Sequence, residues 1–337
     1  MENNINVLVT GGAGFIGSAL SKYIISNTNF NLVILDKLTY SSDFNSLEKI
    51  LNNSRVKFIK GSIGDKKLIN KILDEHLPNY IFNLAAETHV DNSISQPHLF
   101  IKTNILETHK LFNCCLKYFK NLDKKNASKF KFLQISTDEV YGDIASVINP
   151  ANEETKYNPS SPYSSSKASA DLILKSYYRT YNFPAIISNC SNNYGPYQHK
   201  EKFIPMILRN IFMKKKIKVY GDGNQIREWL YVDDHCDALL TIIDNGNLGE
   251  NYNISDKNSI TNLNLVKLIL SICKEMSLIK NDNYEEFVNF VKDRPGHDKR
   301  YALDTNKILK NLRWKPKVTF NQGLLKTINF YSSKIKL

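Results

Sequence analysis

The sequence predicts an α/β fold, a doubly wound parallel sheet covered by helices on both faces, with a smaller C-terminal lobe. Three observations carry this. Short, nearly continuous apolar runs rich in β-branched residues alternate with helical patterns through the first half of the 337 residues. A glycine-rich turn follows the first of those runs directly. The alternation then breaks after about residue 190, where Pro196, Pro205, Gly221, Gly223 and Pro295-Gly296 punctuate shorter elements. Apolar strands separated by helices mark a sheet buried on both faces. Right-handed crossovers between such strands give the doubly wound arrangement.

The first strand is read at Ile5–Thr10, and the helix Phe15–Ser26 follows its glycine turn. Strand Asn31–Asp36 leads to a short helix at Asn45–Leu51, strand Val56–Lys60 to helix Lys66–Glu75, and strand Tyr80–Leu84 to the long helix Leu99–Phe119. The Lys- and Asn-rich stretch Asn121–Lys129 reads as an exposed loop. Strand Lys131–Ser136 precedes helix Pro162–Tyr181, whose start is signalled by Ser160-Ser161-Pro162. Strand Ala185–Asn189 closes the regular part. Beyond it, helices are expected at Asn262–Met276 and Gln322–Ser332. Residues 1–190 therefore form the main domain, and residues 191–337 form mainly the lobe, with some segments returning to the main domain. Neither internal repeats nor a long linker breaks this division.

Composition removes several function classes. A hydrophobic content of 42% excludes wholesale disorder. The formal charge of +12 comes from lysines scattered among many asparagines. Its densest run, Lys214-Lys215-Lys216-Ile217-Lys218, is too short to call for nucleic acid, whereas a basic chain would attract a phosphorylated small molecule. The five cysteines make no CxxC pair and no metal-ligand spacing, so no metal is expected. Their odd number, with no signal peptide in view, fits free thiols in a reducing cytoplasm. No apolar run approaches the roughly 18–20 residues that would span a bilayer.

The first strand runs into Gly11-Gly12-Ala13-Gly14-Phe15-Ile16-Gly17. Gly11, Gly14 and Gly17 permit a tight turn, close backbone approach to a pyrophosphate and close helix–strand packing. The helix N-terminus behind them offers oriented N–H groups and a partial positive charge. Asp36 ends the next strand about 20 residues on, placed to bind the adenosine ribose hydroxyls and repel a 2′-phosphate. The reading is a Rossmann-type dinucleotide site favouring NAD over NADP, with Lys37 beside Asp36 leaving the strictness of that choice open.

Tyr163 and Lys167 stand four apart, on one face of a helix. A free phenol titrates near 10, too high for a base at neutral pH. The Lys167 ammonium and the positive nicotinamide of the oxidised cofactor are expected to lower that value, so that Tyr163 takes a hydroxyl proton while hydride leaves the same carbon. Thr137, Asp138 and Glu139 follow strand Lys131–Ser136, at the carboxyl edge of the sheet. Hydride transfer needs no carboxyl pair. An adjacent acid and base, held at different protonation, point to elimination of water.

With these motifs on the page, the chain resembles the NAD-dependent nucleotide-sugar 4,6-dehydratases of the extended short-chain dehydrogenase/reductase superfamily, almost end to end. The likeness runs through Asp36-Lys37-Leu38-Thr39-Tyr40, Asn83-Leu84-Ala85-Ala86-Glu87-Thr88-His89-Val90-Asp91, the two catalytic stretches, Asn192-Asn193-Tyr194-Gly195-Pro196, the run from Gly221 to Trp229, and Asp293-Arg294-Pro295-Gly296-His297-Asp298. The resemblance implies that Phe15, Ile16, Thr39, Ser62, Ile63, Leu84, Ala85, Ala86, Thr103 and Asn193 join the glycines, Asp36, Lys37, Tyr163 and Lys167 around NAD. It implies that Thr88, Thr137, Asn192, Lys202, Phe203, Lys218, Tyr220, Arg227, Asn262, Arg294 and His297 hold a sugar nucleotide. The arginine forks suit its diphosphate.

The reaction implied is oxidation at C4 by Tyr163 and NAD, loss of the C5 proton to Glu139, departure of the C6 hydroxyl as water with a proton from Asp138, and return of the hydride to C6. Thr137 would polarise the C4 ketone. The product, a 4-keto-6-deoxyglucose nucleotide, would enter a rhamnose or other deoxysugar route, and the protein is expected to be a homodimer packed through Leu99–Phe119 and Pro162–Tyr181.

Three positions depart from the family pattern. Ser62 stands where an Asp usually reaches the adenine amino group, which leaves that contact weaker or to Ile63 alone. Ser41-Ser42 replaces Ala-Gly. Lys218 replaces a Pro near the nucleotide base. Asn92, within His89-Val90-Asp91-Asn92-Ser93, also resembles the plant-type enzymes acting on UDP-glucose, where those acting on dTDP-glucose tend to have Arg. Both bases stay open at this point. Alternative activities are a UDP-sugar 4-epimerase, which needs no acid/base pair, a decarboxylase, which resembles this chain in the Glu but has Ser at the position of Asp138, and, more distantly, a non-catalytic NAD-binding scaffold.

Overall fold

The computed structural model describes residues 5–144 and 149–334. Its main sheet has seven strands: β1 (Asn6–Thr10), β2 (Asn31–Asp36), β3 (Val56–Lys60), β4 (Tyr80–Asn83), β5 (Lys131–Thr137), β6 (Ala185–Cys190) and, from the C-terminal half, Asn251–Ile254. The first six lie in the order β3-β2-β1-β4-β5-β6, with Asn251–Ile254 beyond β6, and every neighbouring pair is parallel. The chain moves outward from β1 in one direction and then, through β4, in the other. A crevice opens at the carboxyl ends where that reversal occurs.

Alternation along each strand feeds two cores. Val7 and Val9 of β1 point to the face covered by Phe15–Asn27 and Val232–Asn245, against Leu20, Ile24, Leu239 and Ile242. Leu8 points to the other face, against Ile81, Leu111, Phe112, Phe132 and Leu174. A third core fills the lobe, where Ile204, Leu208, Trp229, Leu265, Ile269 and Leu324 pack together. Two small sheets frame it: β7 (Asn192–Tyr194), β9 (Ile226–Tyr231) and Ser259–Thr261 in one, β8 (Ile217–Tyr220) and Val288–Val291 in the other.

Four local expectations change. Thr137 belongs to β5 itself, so Asp138 and Glu139 open a 3-10 turn at Asp138–Tyr141 directly on the strand end. The long helix is composite, with Pro97–Phe100, a π-helical turn Ile101–Glu107 and then Thr108–Asn121. The Asn45–Leu51 helix is a 3-10 turn, Phe44–Leu47, continued by Glu48–Leu51. The Asn121–Lys129 stretch is mostly exposed but carries a one-turn helix, Lys124–Ala127, capped by the Asp123 side chain.

Candidate active site

At the carboxyl edge of the sheet, between main domain and lobe, lies a cavity of about 680 Å³. Every residue that the sequence marked for cofactor, catalysis or substrate lines it. They reach it from separate elements: the glycine turn, the ends of β2, β3, β4, β5 and β6, the first turn of Pro162–Tyr181, and the lobe.

The glycine turn is shaped for an anion. Gly11 has φ +67°, and a Cβ there would lie 2.7 Å from the backbone of Leu84 and Ala85. A Cβ on Gly17 would lie 2.2 Å from the Gly11 carbonyl oxygen, so the helix could not approach the turn. At Gly14 a Cβ would meet only the Gly11 carbonyl, at 3.2 Å. Helix Phe15–Asn27 starts at Gly14 without a side-chain cap and without an acidic residue in its first turn. Its N–H groups are thus left to an anionic ligand. Asp36 is buried, and its carboxylate accepts from the Ala13 N–H (2.9 Å), the Leu38 N–H (2.7 Å) and the Ser42 hydroxyl (3.0 Å). Ser42, one of the departures from the family pattern, therefore braces the ribose-facing aspartate. Lys37 turns away to Thr103 (3.2 Å) and Glu87 (3.4 Å). These features fit a dinucleotide with an unsubstituted adenosine ribose.

A capping box holds the catalytic helix: Ser161 Oγ accepts from the Ser164 N–H and Ser164 Oγ accepts from the Ser161 N–H, both at 3.1 Å. Tyr163 and Lys167, in its first turns, are both buried. The Lys167 ammonium donates to the Ile135 carbonyl at 2.6 Å. Behind it, Asp171 accepts from Ser136 and, at 3.4 Å, from the Tyr157 hydroxyl, and its burial pushes its carboxyl up to about 6. Burial raises the Tyr163 phenol well above its ordinary value, and Glu139 raises it further. A hydrogen bond with Thr137 lowers it in part, and a cationic nicotinamide in the cleft would lower it further.

The carboxyl pair is divided by its surroundings. Asp138 is buried, and burial followed by the adjacent Glu139 holds its carboxyl well above the carboxylate range. Its Oδ1 accepts from the Thr137 hydroxyl at 3.1 Å, while Oδ2 is buried without a partner among the described residues. Glu139 is also raised by burial, but Arg294, Arg227 and Lys202 pull it back down. Both carboxyls are raised by burial, and the cations facing Glu139 oppose that rise, an asymmetry of the kind that separate acid and base roles use.

The opposite wall is cationic. Lys202 donates to the Thr88 carbonyl (2.7 Å), Arg227 spans the Ile226 and Asp298 carbonyls (2.8 Å each) with its guanidinium 4.2 Å over the Tyr301 ring, and Arg294 approaches Asp91 at 3.5 Å. The Arg294 Nε is buried without a partner among the described residues. Tyr220 donates to Asp91 at 2.8 Å, and His297 lies 2.6 Å from Asp293. Lys218 is exposed at the rim, on β8. Asn92 does not line the cavity, and its amide donates to the Tyr40 hydroxyl at 3.1 Å.

Sequence reading missed several lining residues. Cys190 sits beside Thr137, its thiol pushed up to about 12 by burial. His89, His199 and Glu201 form a cluster where the two walls meet. Tyr301 donates to Asp298 at 2.7 Å beneath Arg227, and Glu107 lies beside Ser62. Apart from His89, which lies within the Asn83–Asp91 stretch, none has a local motif of its own. No group of three or more His, Cys, Asp or Glu suited to a metal occurs among the described residues, and no described helix is long and apolar enough to cross a membrane.

A family model described as GDP-mannose 4,6 dehydratase matches residues 8–327. The chain is 46% identical to a dTDP-glucose 4,6-dehydratase of Haemophilus influenzae over 331 residues, which cover 97% of this chain and 98% of that one. Among solved structures it is similar to a dTDP-glucose 4,6-dehydratase of Streptomyces venezuelae with NAD bound, at 35% identity and a TM-score of 0.89 over 98% of this chain and 97% of the other. A UDP-glucose 4-epimerase of Thermotoga maritima shares the fold at 29% identity and a TM-score of 0.86, covering 98% of this chain and 100% of its own. The catalytic stretches and the near-complete overlap agree, and the chain belongs to the dTDP-glucose 4,6-dehydratase family of NAD-dependent hydro-lyases.

Proposed function

We propose that this protein converts dTDP-glucose to the 4-keto-6-deoxyglucose nucleotide and water, with Tyr163, Lys167, Thr137, Asp138 and Glu139 as its catalytic residues. Tyr163 takes the C4 hydroxyl proton, and the Thr137 hydroxyl polarises the resulting ketone. That ketone acidifies C5. Glu139 removes the C5 proton, and Asp138 delivers its own proton to the departing C6 hydroxyl. Bound NAD would supply a hydride acceptor for C4 and, once water has left, a hydride donor for C6, with Glu139 returning a solvent-exchanged proton to C5. Lys167, fixed on the Ile135 carbonyl, holds positive charge beside the cofactor half of the cavity.

The observation that carries this reading is the adjacent pair Asp138 and Glu139, both raised by burial, with unequal charged neighbours, mainly acidic around Asp138 and mainly cationic around Glu139. An epimerase returns the hydride to the carbon it left and has no task for a protonated carboxyl. The thymine base is favoured over uracil because the Haemophilus influenzae and Streptomyces venezuelae relatives act, by their names, on the dTDP sugar. Arg294, with its unpartnered Nε, is the diphosphate ligand this wall offers most directly.

A homodimer through 97–121 and 162–181 is supported by exposed apolar side chains there, including Ile101, Leu106, Leu172 and Tyr181. Five buried free thiols accord with a cytoplasmic location, and the product suits a deoxysugar route.

The test is incubation of the purified protein with dTDP-glucose and with UDP-glucose, separately and without added NAD. A 4-keto-6-deoxy product from dTDP-glucose, formed faster than from UDP-glucose and with no net NADH, is expected. A C4 epimer, or no reaction with either sugar, contradicts the proposal.

A further inference from the structure

The cofactor wall contains one carboxylate that the reaction does not use. Glu107 ends the π-helical turn Ile101–Glu107 and lines the cavity beside Ser62 and Ile63. The position is at the adenosine end of the cleft. β3 lies beyond β2 in the sheet, and the Gly61 N–H donates to the Asp36 carbonyl at 2.9 Å, so residues 61–63 continue outward from the ribose-binding aspartate.

An adenine presented there offers an exocyclic amino group that needs an acceptor. The neighbouring polar groups are committed elsewhere. Ser62 gives its one hydroxyl proton to Glu107 Oε2 at 3.1 Å and accepts the Gly64 N–H at 3.0 Å. The Asp36 carboxylate already takes three donors. Glu107 Oε1 has no protein partner among the described residues.

The pocket wall is also cut to admit this side chain. A Cβ on Gly64 would stand 2.6 Å from Glu107 Cγ, so the bare backbone at residue 64 leaves the space that the Glu107 side chain occupies. The π turn contributes the rest. An extra residue in the helical turn re-aims the side chains after it, a device common at functional sites. Thr103, in the same turn, faces the same cavity.

We infer that Glu107, oriented by Ser62, accepts the adenine amino group of NAD and so sets the cofactor's base specificity. This rests on the cofactor assignment and is independent of which sugar nucleotide reacts. A charge-assisted hydrogen bond to the amino group favours adenine, whereas a carbonyl oxygen in its place faces the carboxylate acceptor to acceptor.

The experiment is a cofactor competition. Holoprotein is incubated to constant composition with equal excess concentrations of NAD and nicotinamide hypoxanthine dinucleotide, in which a carbonyl replaces the amino group. The protein is then desalted and denatured, and the released dinucleotides are quantified by mass spectrometry. The expected wild-type ratio favours NAD by roughly 10- to 100-fold. In Glu107→Gln the side-chain amide can turn its N–H to the hypoxanthine carbonyl, and the ratio falls toward one. A wild-type ratio near one overturns the inference without any variant. So does a Glu107→Gln protein that binds both dinucleotides more weakly but keeps the wild-type ratio, because that outcome marks a purely structural carboxylate.

Discussion

The two walls of the cleft are made of different material. On the cofactor wall, the glycine turn and the strand ends meet the ligand largely through backbone, and contacts of 2.2–2.7 Å forbid a Cβ at Gly17 and Gly11. On the sugar-nucleotide wall, long side chains from the lobe carry the charge: Lys202 and Arg294 reach the segment after β4, at the Thr88 carbonyl and Asp91, and Arg227 rests on the Ile226 and Asp298 carbonyls of the lobe itself. A backbone site is set when the sheet folds and tolerates few residues at its tightest points. A side-chain site can lose one member and keep its shape. The carboxyl pair sits where the walls meet and takes its chemistry from both: burial on the sheet edge raises both acids, and the lobe's cations lower only one strongly.

Variants can break this contrast at several points. The largest effect is expected at the junction. Glu139→Gln should cut net turnover by about 10²–10⁴-fold while C4 oxidation persists, seen as NADH absorbance that builds up and stays. Normal turnover would remove Glu139 from the role of base. Next is the backbone wall. Gly17→Ala forces the turn off the helix, and a displacement of that kind can cost about 10²-fold in rate. Released-cofactor analysis should find the purified variant depleted of NAD. Full NAD occupancy would mean that the turn is less rigid than its contacts indicate.

On the side-chain wall, Arg294→Ala should raise KM by roughly 10- to 100-fold, as loss of a charged hydrogen bond does, with NAD content and melting temperature unchanged. A loss of NAD would show the walls to be coupled.

The smallest effect concerns stability. Asp138 has a folded-state pKa raised above its unfolded value, so its stabilising contribution is present at low pH and lost as pH rises through the folded value. Asp138→Asn removes that loss. The variant should melt higher than wild type at alkaline pH, by a margin that narrows on acidification, although its turnover is impaired. A constant margin across the pH range would mean that Asp138 is not the group being titrated.

The same contrast explains what the sequence made legible. β2 and β3 begin and end where their apolar runs do, and helix Pro162–Tyr181 begins at its Ser-Pro signal, because strand burial and capping are local. Strand Asn251–Ile254 escaped notice because its polar residues are used inside. Asn253 accepts from the Tyr141 hydroxyl and donates to the Ala151 carbonyl, so the run does not read as a buried strand. Glu107 was invisible for a related reason. On a helix of ordinary pitch it reads as a solvated charge, whereas here it ends a π turn and lines the cavity. The lobe's arginines gained meaning only from the resemblance, since no local pattern separates a diphosphate ligand from a surface arginine.

The measurement that bears most directly on the central claim follows one atom. dTDP-glucose carrying deuterium at C4 is converted by the purified protein in ordinary water, and the product is examined by NMR and mass spectrometry. The account predicts that the deuterium appears at C6 of a 4-keto-6-deoxy sugar, with a solvent proton at C5 and no label released. A C4 epimer that keeps its label at C4, or label lost to free NADH, would contradict it.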